Sequence, residues 1–329
     1  MMRNEQWGRL ALLAAAMIWG SSFFVLKDAL GDMPVFLLLA IRFTAGFGLL
    51  AAIFRRRLRA VKREAVLHGA ICGVLLFTAY AFQTFGLRET TPGKNAFLTT
   101  VYCVLVPFIS WIGAPLNSAL SRFFAHTRSA RCLIGPPPAC SRHWRRRRDT
   151  APSLWNWLAA VMCVIGIGLV SLNESLTMNR GDALTLVCGV FYALHVLAVG
   201  RYTRAEDAAA LTAVQFGAAA VCNAVMSLLT EQMPDHIPSG ALMELCYLAI
   251  FPTTVAMLLQ SVGQSVTPAA PAAILLSLES VFGVLFSVLF AGETVTPRLL
   301  CGFALIFIAV IASETHFSFL RRKAGSTWT

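Results

Sequence analysis

Charge is scarce in this sequence. Charged residues make up 13% of the chain, about half of the roughly 25% found in an ordinary soluble domain. A water-soluble protein of 329 residues would have too few of them to cover its surface, which excludes a soluble enzyme. No glycine-rich phosphate loop of the Walker A kind occurs, so direct drive by ATP is not expected, and no other cofactor motif is present. The nine cysteines lack the spacing of a disulfide framework in a chain this long and apolar. Strictly alternating stretches of the kind that build a membrane β-barrel are also missing.

Long apolar runs are abundant instead. Hydrophobic residues make up 57% of the chain and the mean hydropathy is +0.69. Ten stretches have the length of a bilayer-crossing helix of about 20 residues: 9–27, 34–54, 66–87, 95–113, 154–172, 182–200, 209–230, 241–261, 269–290 and 297–314. The first follows Arg3 and Arg9, as a signal peptide would, but it continues through Trp19-Gly20-Ser21-Ser22 without a small-residue cleavage site. The expected fold is an all-α integral membrane protein of ten transmembrane helices.

The basic residues orient it. With the N-terminus inside, 21 of the 27 Lys and Arg residues fall on inner segments and five on outer ones. Loops of this length follow the positive-inside rule, so both termini are expected in the cytoplasm and the protein in the inner (plasma) membrane.

The two halves of the chain resemble each other. Gln83-Thr84-Phe85-Gly86 followed by Thr90 matches Gln260-Ser261-Val262-Gly263 followed by Thr267, an offset of 177. Ala40-Ile41-Arg42-Phe43 matches Ala213-Val214-Gln215-Phe216 at an offset of 173. Each unit holds five spans, an odd number, so the second is inverted relative to the first, a design of secondary transporters. The units are expected at 1–172 and 173–329. Residues 114–152 interrupt the repeat. Within them, 117–150 carry eight Arg, no Lys and one Asp, hence seven of the net charge of +11, with the runs Pro136-Pro137-Pro138 and Arg145-Arg146-Arg147-Arg148. That composition reads as a disordered insert, either a genuine cytoplasmic loop or a spurious coding segment. His126, Cys132, Cys140 and His143 within it match no zinc spacing, so no metal site is expected. Its arginines are accounted for by topology, and no nucleic-acid partner is inferred.

Several blocks carry a family resemblance. Ile18-Trp19-Gly20-Ser21-Ser22-Phe23, Arg42-Phe43, Thr91-Pro92-Gly93-Lys94-Asn95-Ala96-Phe97, Leu276-Ser277-Leu278-Glu279 and Gly292-Glu293 resemble the EamA-type family of the drug/metabolite transporter superfamily. The resemblance spans nearly the whole chain outside 114–152. It implies a transporter of a small metabolite such as an amino acid, most of all an exporter, working in the lipid bilayer with protons as a candidate coupling ion. Members typically carry a proline after the Glu279 position, where this chain has Ser280, which bears on a helix bend there. A facilitator or importer of a related metabolite is the nearest alternative. An enzyme acting on lipid-linked substrates is the alternative of another class, but it would cluster acids and histidines at one membrane face.

Ionisable side chains deep in a span cost about 2.5–3.5 kcal/mol on insertion scales, so they are expected to face a protein-lined or wet path. Arg42 lies mid-span in the second stretch and Glu279 in the ninth. The repeat pairs them with Gln215 and Tyr102, so each symmetric pair has one charged member. Arg42 and Glu279 are candidates for the two ends of a zwitterion, against the alternative of a structural ion pair. Gln83, Gln260, Tyr102, Gln215 and Trp19 complete the substrate-path candidates. The glutamines serve equally well as hydrogen bonds between helices and the aromatics as packing. Tyr80 and His195 are weaker candidates. Pro92, Gly93, Pro268 and Pro271 mark equivalent turns on opposite faces, where hinges of a gate are expected.

Overall fold

The computed structural model describes residues 2–123, 152–172, 177–202, 206–234, 236–267 and 269–315. The described residues form thirteen α-helices and one π-helical turn. These are α1 (Met2–Asp32), α2 (Val35–Ile53), the short α3 (Arg55–Arg59), α4 (Arg63–Glu89), α5 (Pro92–Thr99) and α6 (Val101–Phe123). Then follow α7 (Leu154–Ser171), α8 (Arg180–Tyr202), α9 (Ala208–Thr230) and α10 (Ser239–Leu248). The π-helical turn (Ala249–Val255) leads into α11 (Ala256–Val266), α12 (Ala269–Phe290) and α13 (Pro297–Thr315). No strand forms among the described residues; one isolated bridge joins Leu172 to Met178.

All ten expected stretches are helical. Eight of them meet the length and apolarity of a membrane span, the fourth as Pro92–Ile112 and the eighth as Ser239–Gln260. Ile274–Phe290 in α12 and Pro297–Ser313 in α13 are shorter apolar helices. Two boundaries differ from expectation. The fourth stretch begins at Pro92 rather than 95, because Thr91 caps it and proline suits a first helical turn. Its helix also runs on to Phe123, into the segment set apart as an insert. The remainder of that segment, with both histidines and both cysteines, lies outside the described residues.

The surface is apolar where a soluble protein would be polar. Val164, Leu229 and Met243 are 68%, 74% and 75% exposed, as befits side chains that face lipid tails rather than water. Polar side chains turn inward, with Asn95, Asp182, Thr185 and Asn223 fully buried. The helices pack as a bundle in which α1 lies against α12 and against α10–α11, α4 against α8 and α9, α2 against α9, and α7 against α13. Leu38, Leu39 and Phe43 of α2 meet Phe216 of α9 and Leu245 and Leu248 of α10 in the larger core.

Helix ends inside such a bundle need partners, because each leaves four backbone groups without an intrahelical bond. The chain supplies side chains for them. At the start of α2, the Phe36 and Leu37 N–H groups donate to the two carboxylate oxygens of Glu231 at 2.8 and 2.9 Å. Asp207 accepts from Ala210 N at the start of α9, and Ser153 and Asn156 form a capping box at the start of α7. Arg57 pairs with Asp207 at 3.1 Å and His68 meets Glu206 at 3.3 Å. Those contacts place the α2–α4 connection and the α8–α9 connection at one end of the bundle, called the basic face below.

Close helix approach depends on glycine at two helix crossings. A Cβ on Gly86 of α4 would lie 2.4 Å from Thr185 Oγ1 and 2.8 Å from Gly181 O of α8. One on Gly263 of α11 would lie 2.5 Å from Leu12 Cγ and 2.9 Å from Gly8 O of α1. Gly86→Ala is therefore expected to destabilise the fold by about 1–3 kcal/mol, the usual cost of overpacking. The readout is a lower melting temperature of the purified protein in detergent. Gly31→Ala, with no atom within 4 Å of the new Cβ, should leave that temperature unchanged.

Candidate functional site

The site is built round a break in the eighth stretch. Pro252 has no N–H to donate and its ring crowds the preceding turn, and the helix widens there into the π-helical turn 249–255. Such turns free backbone and side-chain groups for other partners. The Thr253 and Thr254 hydroxyls donate five residues back, to Leu248 O at 2.8 Å and Ala249 O at 3.0 Å. Pro252 O accepts from the Trp19 indole Nε1–H of α1 at 2.9 Å. Thr253 Oγ1 accepts from Arg42 Nε of α2 at 2.6 Å.

Beside this turn lies a cavity of about 450 Å³. All seven substrate-path candidates line it: Trp19, Arg42, Gln83, Tyr102, Gln215, Gln260 and Glu279, contributed by seven different helices. Tyr80 and His195 line it as well. The wall continues to Val199, Gly200 and Ala208 at the basic face, and Gly200 is exposed there. At the opposite end it stops at Gln83 and Thr99, short of the α4–α5 turn that joins them.

The two ionisable side chains of the cavity wall have separate surroundings. Arg42, 1% exposed, uses Nε on Thr253 and one terminal nitrogen on Tyr80 Oη at 3.5 Å, and its guanidinium carbon lies 4.9 Å from the centre of the Tyr80 ring. A cation over a desolvated aromatic face is worth up to about 2 kcal/mol. Among the described residues no carboxylate pairs with it. Glu279, 8% exposed, lies in the middle of α12, which is continuous through Ser280; the Ser280 hydroxyl donates to Ser277 O at 2.8 Å. No hydrogen bond or ion pair joins Arg42 to Glu279.

The neutral candidates divide by partner. Gln83 is tied on both sides, donating from Nε2 to Thr99 Oγ1 at 3.1 Å and accepting from Tyr192 Oη at 3.0 Å. Gln215 Oε1 lies 3.0 Å from His195 Nε2. Tyr80, Tyr102 and Tyr192 cluster, with ring centroids 5.6 and 6.2 Å apart along the row. Of the gating candidates, Pro92 and Gly93 are buried at the start of α5 and do not line the cavity. Pro268 lies outside the described residues, and Pro271 falls in the first turn of α12.

Sequence reasoning missed Thr253, Tyr192, Thr99 and Thr212. A signal for the first existed: Pro252-Thr253-Thr254 interrupts an apolar run with a helix breaker and two hydroxyls, a pattern tolerated in a membrane where it lines a cavity.

A helical bundle with an apolar exterior and a charged, solute-sized cavity is the build of a membrane transport protein. The chain belongs to the EamA-like transporter family, which matches it over residues 6–118 and 179–314. A protein of Archaeoglobus fulgidus described as an uncharacterized transporter is 31% identical over 302 residues, 92% of this chain and 84% of its own length. A protein of known crystal structure shares the fold with a TM-score of 0.61 at 18% identity, over 95% of this chain and 98% of its own. Family and relative point to a multi-pass membrane transporter rather than an enzyme.

The Thr253 hydroxyl is what holds Arg42 in place. Thr253→Val, of the same shape, is expected to cost about 1.5–3 kcal/mol, the range for a lost hydrogen bond to a charged group. Thr253→Ser should retain most of the stability. Thermal melting of the two variants in detergent checks this.

Proposed function

We propose that this protein is a secondary transporter that exports a small zwitterionic metabolite, an amino acid in the first instance, across the plasma membrane. The observation that carries the reading is the pair of ionisable side chains, the Arg42 guanidinium and the Glu279 carboxyl, on the wall of one cavity and not bonded to each other. A ligand with a carboxylate and an amine satisfies both at once. A cavity of about 450 Å³ is of the scale of small-molecule sites, about 300–1,000 Å³. The tyrosine row and Trp19 supply an apolar wall for the rest of the solute.

The transport mechanism is alternating access of two inverted five-helix units, 1–172 and 173–329, with ten spans in all, α12 and α13 completing the count. Several observations support this. Exchanging each span for the one five places on turns the packing of α4 on α8 into that of α10–α11 on α1. The glycine contacts follow the same rule: Gly86 and Gly263 are 177 residues apart, and their partners Gly181 and Gly8 are 173 apart. The family matches the chain in two segments, one in each unit. The excess of Lys and Arg on one set of loops puts the basic face in the cytoplasm, so the cavity is open to the inside. Movement is driven by a proton or substrate gradient, with Glu279 as the group that would carry the proton.

Purified protein in liposomes is expected to move amino acids without ATP. Glu279→Gln and Arg42→Gln should each slow this by at least about tenfold, since a charge-assisted hydrogen bond is worth about 1.5–3 kcal/mol. A metabolite survey of cells with and without the protein would identify the solute. Unchanged transport by folded variants, or an absolute need for ATP, would overturn the proposal.

A further inference from the structure

Away from the basic face the cavity stops at Gln83 and Thr99, short of the turn between α4 and α5. Residues 87–94, within the stretch that joins those two wall residues, make up that turn. This turn is gripped from three sides. Lys27 of α1 donates from Nζ to the carbonyls of Leu87, Arg88 and Thr90 at 2.8, 2.9 and 3.0 Å. Asn179, just before α8, donates to the carbonyl between them, Glu89 O, at 3.0 Å. Four successive carbonyls at the end of α4 are thus satisfied from outside the helix, and the cation sits where the helix dipole is negative.

The start of α5 is held by acids. Glu293, in the connection between α12 and α13, accepts from the Thr91 hydroxyl, from Gly93 N–H at 2.9 Å and from the Ser287 hydroxyl. Asp182 of α8, fully buried, accepts from the Thr90 hydroxyl, and its second oxygen lies 3.9 Å from Lys94 Nζ. A carboxylate at a helix start complements the positive end of its dipole. One positive and two negative side chains from three elements therefore close a single eight-residue turn.

The opposite face has no such set in the sequence. At the offsets of the repeat, Lys27 corresponds to Gly200, Asp182 to Arg9 and Glu293 to Leu116. Gly200 is itself exposed on the open rim of the cavity. At the equivalent positions of the other end an arginine stands in place of the aspartate, and the lysine and the glutamate have no charged counterpart.

We propose that Lys27, Asp182 and Glu293 are positioning residues for transport: they hold the α4–α5 turn shut and set a resting conformation open to the basic face. The proposal rests on the alternating-access reading above. Opening the path outward requires the turn to leave these partners, and the asymmetry between the faces makes that the state needing added free energy. A solute loaded from the basic face would reach the cavity without breaking any of them.

Hydrogen–deuterium exchange of the full-length protein in lipid nanodiscs tests this without labels. Lys27→Met and Glu293→Gln are expected to raise exchange several-fold in peptides covering 84–99, and to lower it in peptides covering 196–212 as the basic-face mouth closes. Lys27→Arg, which keeps the cation, should stay close to the unaltered protein. Faster exchange at 84–99 with no change at 196–212 would reduce the contacts to local stability and overturn the proposal, as would no change at either. If Lys27→Met does not fold, Glu293→Gln carries the test alone. Liposomes that move no solute while the two regions remain coupled would refute the transport reading and leave the clamp standing. Transport by a protein whose regions are uncoupled would refute the clamp alone.

Discussion

Every backbone N–H and C=O inside a bilayer must find its partner within the protein, because no water is there to substitute. The rest of this structure follows from that constraint. It makes the described segments helical almost throughout, and it concentrates the unsatisfied groups at helix ends and breaks. Those are the places where polar side chains are concentrated. Glu231 closes the start of α2, Lys27 and Asn179 close the end of α4, and Glu293 closes the start of α5. Pro252 opens the eighth stretch in mid-membrane: the Thr253 hydroxyl takes up Leu248 O, the carbonyl four residues before the proline, while Trp19 bonds Pro252 O and Arg42 the Thr253 oxygen. Structural necessity and site chemistry thus meet in the same residues.

The charged cavity is the second consequence. A guanidinium in an apolar interior is expensive unless bonded, and removing one member of a buried pair is costlier than never having had the pair. Arg42 avoids dependence on a single counter-ion by resting on a hydroxyl and an aromatic face, both neutral. Glu279 lies on α12 and among the described residues has no basic partner. The two side chains are not bonded to each other, so the polar groups of the cavity wall are not spent on a mutual ion pair. An ion pair between the two would have occupied them and left only a hole.

The spans were legible in the sequence because apolar length alone marks them, and Arg42 and Glu279 because charge in such stretches is rare. The reading of two repeated units rests on two short matches in similar register. Which face each helix turns inward was not. The helices are apolar nearly all round, so no amphipathic stripe points to the interior, and Tyr192, Thr99 and Thr212 could not be told from packing residues. The π-helical turn was marked in the sequence by Pro252-Thr253-Thr254, but a single proline within a long apolar run does not say how the helix reroutes its hydrogen bonds. Gln83 shows the converse. Its place on the wall was read from the repeat, but its two bonds to Thr99 and Tyr192 depend on side chains from other elements.

The direction of the bonds between the two halves has a consequence for how such a chain can be assembled. Five carboxylates from beyond residue 172, Asp182, Glu206, Asp207, Glu231 and Glu293, bind donors from the first 172 residues. Among the described residues, Arg180 with Glu89 at 3.9 Å is the ion pair that runs the other way, alongside the bonds that Asn179, Tyr192 and Arg298 donate to the first half. The halves have divided the acids unequally: most of the carboxylates that bridge them come from the second. Two copies of the first half would leave those donors without their carboxylates. Whatever symmetry the architecture retains, the halves are no longer interchangeable, and a single polypeptide guarantees that each meets its complement.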